Sequence, residues 1–391
     1  MKTIHIPQIL LPESADMHLW AVNACDQFTS DYSYWSELEK LVGQNLSTLK
    51  LVFPEIYLKD NPSVRIDNIN KTMRSYLNSG VFKKLGEGFI LVERTTSAGT
   101  RTGLVIAIDL EDYSFEKGAT TPVRSTEATI LERIPPRVAI RRNALLELPH
   151  IMLLYDDKQN TVLNNAVKGE TLYDFDLNMN GGHIKGTAVN NSEEVVKSFY
   201  RLVEGESNPF LFAVGDGNHS LATAKACWEE IKKTLPESQF QTCPARYALC
   251  EAVNIHDSAL NFEPIHRFVK TDKVNEFKSG LKIAGTATAV FVANGMEEVI
   301  AFDGDTPSGI RKLDEYIASF IKENGGEVDY IHGQTELKEL TKEGGAGVIL
   351  PAIPKDDFFA LIKKGGNLPR KTFSMGEGNE KRYYIESRII R

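Results

Sequence analysis

Four polar side chains crowd into one short turn of this 391-residue chain: Asp216, Asn218, His219 and Ser220, interleaved with Gly215 and Gly217. A carboxylate can orient or deprotonate a hydroxyl, and a histidine can donate a hydrogen bond or carry a proton. The glycines allow positive φ or close approach of backbone to a ligand. The flanking elements fit that use. Phe210 to Val214 is an unbroken apolar run, as in a buried strand. From Leu221 the apolar positions Leu221, Ala224, Trp228, Ile231 and Leu235 recur at spacings of three and four, as on one helix face. Open N–H groups at such a helix start attract anions, phosphate above all. The strand–turn–helix shape is common, and a capping aspartate with a buried histidine can be purely structural. The crowding of reactive side chains makes 215–220 the candidate site.

Other segments offer groups that would meet an anion there. Arg124, Arg133, Arg137, Arg141 and Arg142 cluster beside Pro135 and Pro136, in a chain whose net charge is −8. Arginine forks recognise phosphate and carboxylate, although a solvated face is the ordinary place for any one of them. Glu127 lies in the same stretch. The pair Asp156-Asp157 at a strand end can hold Mg²⁺, or simply turn the chain. His256-Asp257 and His266-Arg267 each follow or lie within a predicted strand, and Arg370, Lys371 and Ser374 sit in a glycine-bearing tail read as a ligand-reaching loop.

Hydrophobic content of 42% and charged content of 25% are those of a soluble globular protein, with more residues than one core normally serves. The expected class is α+β (mixed α/β), with units at 1–115, 116–271 and 272–391. No apolar run approaches the ~18–20 residues needed to span a bilayer, so no membrane partner is expected. The start does not read as a signal peptide, and four cysteines without metal spacing suit free thiols in a cytoplasm. The acidic balance argues against nucleic-acid binding. Helices are expected near 33–42, capped by Asp31 or Ser33 and ended by Gly43, and at 64–80, stopped by Gly80. A hairpin is expected around a five-residue turn at 97–101.

The stretches RSTEATILERIPPRVAIRRNALLELPHIMLLYDD, FAVGDGNHSLATAK, EAVNIHDSALNFEPIHR and LPRKTFSMGEGNEKRYY resemble the domain of unknown function 1015 family. The strand–glycine-turn–His–helix unit is more remotely similar to the ParB and sulfiredoxin superfamily, which includes archaeal kinases of free serine. That resemblance implies a ParB/sulfiredoxin-like core in which the turn holds nucleotide phosphate. Sulfiredoxins have Gly-Cys-His-Arg where this chain has Gly217, Asn218, His219 and Ser220. Asn218 in place of the reactive cysteine excludes sulfinic-acid repair. Ser220 in place of the phosphate-binding arginine requires a cation from elsewhere, with Arg124, Arg141 or Arg267 as candidates.

Two functions of different class follow. One is phosphoryl transfer on a small polar metabolite such as serine, with ADP or ATP and Mg²⁺ as cofactors and Asp216, His219 and Glu127 as catalytic groups. Gly217, Asn218, Ser220, Arg124, Arg141, His266, Arg267, Arg370, Lys371 and Ser374 would then bind phosphate or substrate. A phosphatase would use the same constellation with water. The other is a nucleotide-sensing protein without catalysis. A serine hydrolase built on Ser220 with His219 or His266 lacks a G-x-S-x-G elbow.

Overall fold

The computed structural model describes residues 2–23, 28, 31–57, 62–127, 134–281, 287–302 and 305–391. These residues are mixed α/β, as the sequence pattern predicts. They form two compact units, Met1–Leu260 with Glu377–Arg391, and Asn261–Gly376 between them in sequence. No helix among the described residues is long and apolar enough to cross a membrane.

The first unit is built on a ten-stranded sheet. Its strands are β1 (Ile4–His5), β2 (Ile90–Thr96), β3 (Gly99–Asp109), β4 (Tyr113–Ser114), β5 (Val123–Ser125), β6 (Met152–Tyr155), β7 (Lys168–Asp176), β8 (His183–Val189), β9 (Phe212–Asp216) and β10 (Tyr247–Asn254). The spatial order is β7-β8-β2-β3-β10-β6-β9-β5-β4, with β1 also on β3. Most neighbours are antiparallel, but β9 and β4 run parallel to β5, and β10 parallel to β6.

Alternation along β3 supplies two faces. Leu104, Ile106 and Ile108 join one core cluster, whereas Val105 and Ala107 join the other. The first face is covered by the helices Ser192–Arg201 (α1) and Asn218–Lys232 (α2), through Val195, Phe199, Leu221, Ala224 and Trp228. The C-terminal segment helps to cover the second face with Tyr383 and Ile385.

That segment is held by charge as well as packing. Arg382 donates from Nε to Glu251 Oε2 at 2.7 Å and from Nη2 to Glu386 Oε2 at 2.8 Å. Glu251, 1% exposed, extends its side chain over Gly103, where a Cβ would lie 2.5 Å from its Oε1. Further along, Arg388 donates to Glu147 Oε1 from Nε at 2.8 Å and Nη2 at 2.6 Å, and Arg141 bonds the other oxygen.

Several local expectations match. The helix Tyr32–Val42 starts where Asp31 Oδ1 accepts from Ser33 and Tyr34 N–H, and Gly43 ends it. The helix Pro62–Asn78 stops just before Gly80, whose φ is +68°. The hairpin is tighter than the spacing suggests: Thr96 pairs with Gly99, so only Ser97 and Ala98 turn, and Arg101 lies inside β3. Pairing of Thr95 with Thr100, whose hydroxyls lie 2.9 Å apart, extends both strands past the apolar part of the pattern, although Arg94 and Arg101 stand opposite each other as like charges.

The second unit has a sheet ordered Met296–Phe302, Ala287–Ala293, Ala346–Ile349, Phe262–Lys270, Glu327–His332. The helix Thr306–Asn324 contributes Ile310, Leu313, Ile317 and Phe320 to its core. The tail read as a ligand-reaching loop contains a packed strand, Phe373–Met375, paired with Phe262–Pro264. Phe373 and Met375 alternate with Ser374, a period hidden by the surrounding basic and glycine residues.

Burial pushes the Glu147 carboxyl up, but Arg388 and Arg141 outweigh it and hold it below the usual range. Its contribution is therefore full above the unfolded carboxylate range and is lost as pH falls through the lowered folded value. Glu147→Gln should cost about 3–5 kcal/mol near neutral pH, because Arg388 loses its buried partner. Urea unfolding of the two proteins should converge as the pH is taken below that range.

Candidate functional site

The turn forms where β9 ends beside the start of β6, with Asp216 opposite Met152. Gly217 has φ +80°, and a Cβ there would lie 3.0 Å from Ile151 Cγ1 and 3.1 Å from its Cα. Both constraints select glycine. Gly217 N donates to Asp216 Oδ1 at 2.8 Å. As the N-cap of α2, Gly217 offers no side chain to the first-turn N–H groups.

Asn218 has a defined task. Its Oδ1 accepts from Ser125 Oγ at 2.7 Å and from Thr126 N at 3.2 Å. Thr126 Oγ1 in turn donates to the Val214 carbonyl at 2.6 Å. Asn218 thus ties the ends of the parallel strands β5 and β9 to the helix start, and carries Glu127 to the end of β5. The His219 side chain is half-buried, and its carbonyl accepts from Thr223 Oγ1 at 2.7 Å.

A cation at this turn comes from the C-terminal segment. Lys381 Nζ lies 3.6 Å from Asp216 Oδ2. Arg382 Nη1 donates to the Pro149 carbonyl at 2.7 Å, fixing the chain that leads into Ile151. Arg101 Nη2 stands 3.6 Å from Glu251 Oε1, and Arg94 Nη2 donates to the Asn379 carbonyl at 3.1 Å. Burial, with Arg101 alongside, pushes the Arg94 guanidinium down to about 10. Arg94 Nε and Nη1 and Arg101 Nε are buried without hydrogen-bond acceptors.

Ser220 Oγ is 2.9 Å from His150 Nε2, and His150 Nδ1 is 3.1 Å from the Tyr384 hydroxyl. The same C-terminal segment helps to line an open cavity of about 680 Å³, with His18, Tyr34, Asn178, Met179 and Asn379 among its walls. Met179 and Asn180 there have φ of +51° and +58°. Tyr34 and Trp35 are core, as their spacing suggests, while Phe28 stacks on Tyr34.

The other sequence-predicted groups are engaged elsewhere. Arg124 donates from Nε to the Thr121 carbonyl at 2.8 Å and lies over the Phe210 ring. Arg141 is bound to Glu147, and Arg142 to Glu230. Arg133 lies outside the described residues. Asp156 pairs with His256 at 2.7 Å, while Asp157 Oδ2 accepts from Val162 N at 2.8 Å. No cluster of three or more metal-ligating side chains occurs among the described residues.

His266, Arg267, Arg370, Lys371 and Ser374 belong to the second unit. Arg267 is fully buried, bonded to Asp314 Oδ1 at 2.7 Å and to the carbonyls of Ile265, Arg370 and Lys371. Burial, Arg267 and His332 push the His266 imidazole down to about 4, and its Nδ1 accepts from Leu350 N. Ser374 Oγ donates to the Gly376 carbonyl at 3.2 Å.

His150, Lys381, Arg382 and Tyr384 escaped the sequence reading. Their signal is faint: charged and aromatic residues packed into EKRYY, and one histidine just before the apolar run IMLLY.

Asn218→Ala would strand the Thr126 N–H without its acceptor, while the Ser125 hydroxyl keeps the Glu127 carbonyl at 2.6 Å. It should lower stability by about 1–3 kcal/mol in thermal unfolding, the range for leaving a buried donor unsatisfied.

A family model described as "Protein of unknown function (DUF1015)" matches residues 8–352. No curated protein matches the sequence. Among solved structures, a free serine kinase variant in complex with ADP is similar at 13% identity and a TM-score of 0.41, over 72% of this chain and 91% of that one. A conserved hypothetical protein from Pyrococcus furiosus is similar at 12% identity and a TM-score of 0.39, over 73% of this chain and 95% of that one. Identities this low leave the chemistry to be argued from the residues of this chain.

Proposed function

We propose that this chain, which belongs to the DUF1015 family, transfers phosphoryl groups to or from a small polar metabolite at the Gly217 turn. One observation carries the reading: the uncapped start of α2 lies at the carboxyl ends of the parallel strands β5 and β9, with Lys381 Nζ 3.6 Å from Asp216 Oδ2. Open N–H groups and an adjacent ammonium suit a phosphate, whose charge must be met during transfer. Lys381 takes the place of the arginine that Ser220 lacks. His219 donates to the phosphate, and Asp216 or Glu127 orients or deprotonates the attacking hydroxyl.

The ParB/sulfiredoxin-like character of the strand–turn–helix supports a nucleotide, ADP or ATP, as donor, and serine as the hydroxyl substrate. Mg²⁺ would arrive as a nucleotide-borne ion, held mainly by phosphate and water. It would offset charge on the transferring group.

A thermal-shift panel of ADP, ATP, CTP, serine and phosphoserine, with and without Mg²⁺, tests the reading. A ligand at a hundred times its Kd should stabilise by about 2.7 kcal/mol. Lys381→Met should weaken phosphate compounds while leaving the unliganded melting temperature close to wild type. Silence across the whole panel would remove the proposal, and binding without turnover would make the protein a ligand sensor.

A further inference from the structure

We infer, resting on the phosphoryl-transfer reading above, that Ser220 is a covalent way-station for the phosphoryl group, with His150 as its base and Tyr384 positioning that base. Three residues far apart in sequence are brought into one hydrogen-bonded line. Ser220 and His150 are 70 positions apart and meet at 2.9 Å, while His150 and Tyr384 are 234 positions apart and meet at 3.1 Å. The His150 and Tyr384 rings also pack edge to face, with centroids 5.2 Å apart. A serine hydroxyl is a weak nucleophile until a base takes its proton, and an imidazole within hydrogen-bond reach is the usual device.

The placement suits the task. Ser220 is the third residue of α2, a position whose side chain can fold back toward the mouth of the helix. Its hydroxyl therefore shares the region toward which the open N–H groups would draw a phosphate. For Ser220 to donate to Nε2, His150 must be neutral with its proton on Nδ1, which then donates to the Tyr384 oxygen. Tyr384 is fixed for that role. Its backbone N donates to the Val22 carbonyl at 2.9 Å, and its carbonyl accepts from Thr48 Oγ1 at 3.3 Å.

In the first displacement Ser220 Oγ attacks the phosphorus of a phosphate ester or anhydride. The Oγ–P bond forms as the bond to the leaving oxygen breaks, and the Oγ proton passes to His150 Nε2 and on to the leaving group. In the second, the metabolite hydroxyl, or water, loses its proton to His150 Nε2 and takes the phosphoryl group from Oγ, which recovers a proton from the imidazolium. No oxidant or further reactant is required. Small Ser220 thus does more than omit an arginine: it opens a two-step route.

The test uses the full chain, incubated separately with ATP and with phosphoserine in the absence of an acceptor, quenched in acid and read by intact mass and peptide mapping. One phosphoryl group on Ser220 is expected, lost in Ser220→Ala and retained at a reduced rate in Ser220→Thr. His150→Asn should slow labelling by about 10²–10⁴-fold, the range for general-base loss. Tyr384→Phe should slow labelling and shift its pH profile, with the thermal shift by ATP or phosphoserine unchanged. Turnover at wild-type rate in Ser220→Ala, or binding and turnover with no label on Ser220, would overturn this inference and leave the phosphoryl-transfer reading standing. Failure of every phosphate compound to bind would overturn both.

Discussion

The first unit depends on a buried ion pair between its central sheet and its last fifteen residues. Glu251 and Arg382 are 1% and 5% exposed, and each would be costly to bury alone. Together with Glu386, which also accepts from the Tyr173 hydroxyl, they form a network in which Arg382 uses all three guanidinium nitrogens. Burial works against the charge on Arg382, yet Glu386 and Glu251 hold its pKa above the ordinary range. The network fixes more than its own atoms. Lys381 and Tyr384 flank it along the chain, and the Pro149 carbonyl that Arg382 binds directly precedes His150.

Sheet topology explains why the turn lies where it does. In a largely antiparallel sheet, β5 and β9 form one of the few parallel pairs, so both deliver their carboxyl ends to the same edge. The helix after β9 therefore begins where the end of β5 supplies Ser125, Thr126 and Glu127. Asn218 joins the three pieces. A cysteine there could not accept these hydrogen bonds equally well, since sulfur is a weak acceptor. An amide at position 218 is thus a structural requirement of the turn.

The strand, turn and helix at 210–232 were legible because each has its own local signal: an apolar run, paired glycines, then a helical period. The capping of Tyr32–Val42 by Asp31 was legible for the same reason. What escaped is non-local. Lys381 meets Asp216 across a long stretch of chain, and nothing in either neighbourhood announces the other. Arginine clustering carries no sign of the partners found: Arg124 binds the Thr121 carbonyl and Arg141 the buried Glu147 carboxylate. Arg101 was hidden in an apparent turn because polar residues extend β3 beyond its apolar part. The Phe373–Met375 strand was concealed in a similar way, its alternation too short to stand out against basic neighbours.

Ser220 gains meaning from these distant partners. On the proposed reading, charge for a phosphate comes from Lys381 beside Asp216, delivered by a segment that the Glu251–Arg382 pair holds onto the sheet. A smaller side chain on the helix also leaves room for His150 to reach a hydroxyl, which a guanidinium in the same place would displace. On the proposed reading, charge supply and proton handling fall to two residues from two parts of the chain. The cost is dependence on the C-terminal segment, which the buried partners of Arg382 and the backbone bond of Tyr384 to Val22 together hold in place.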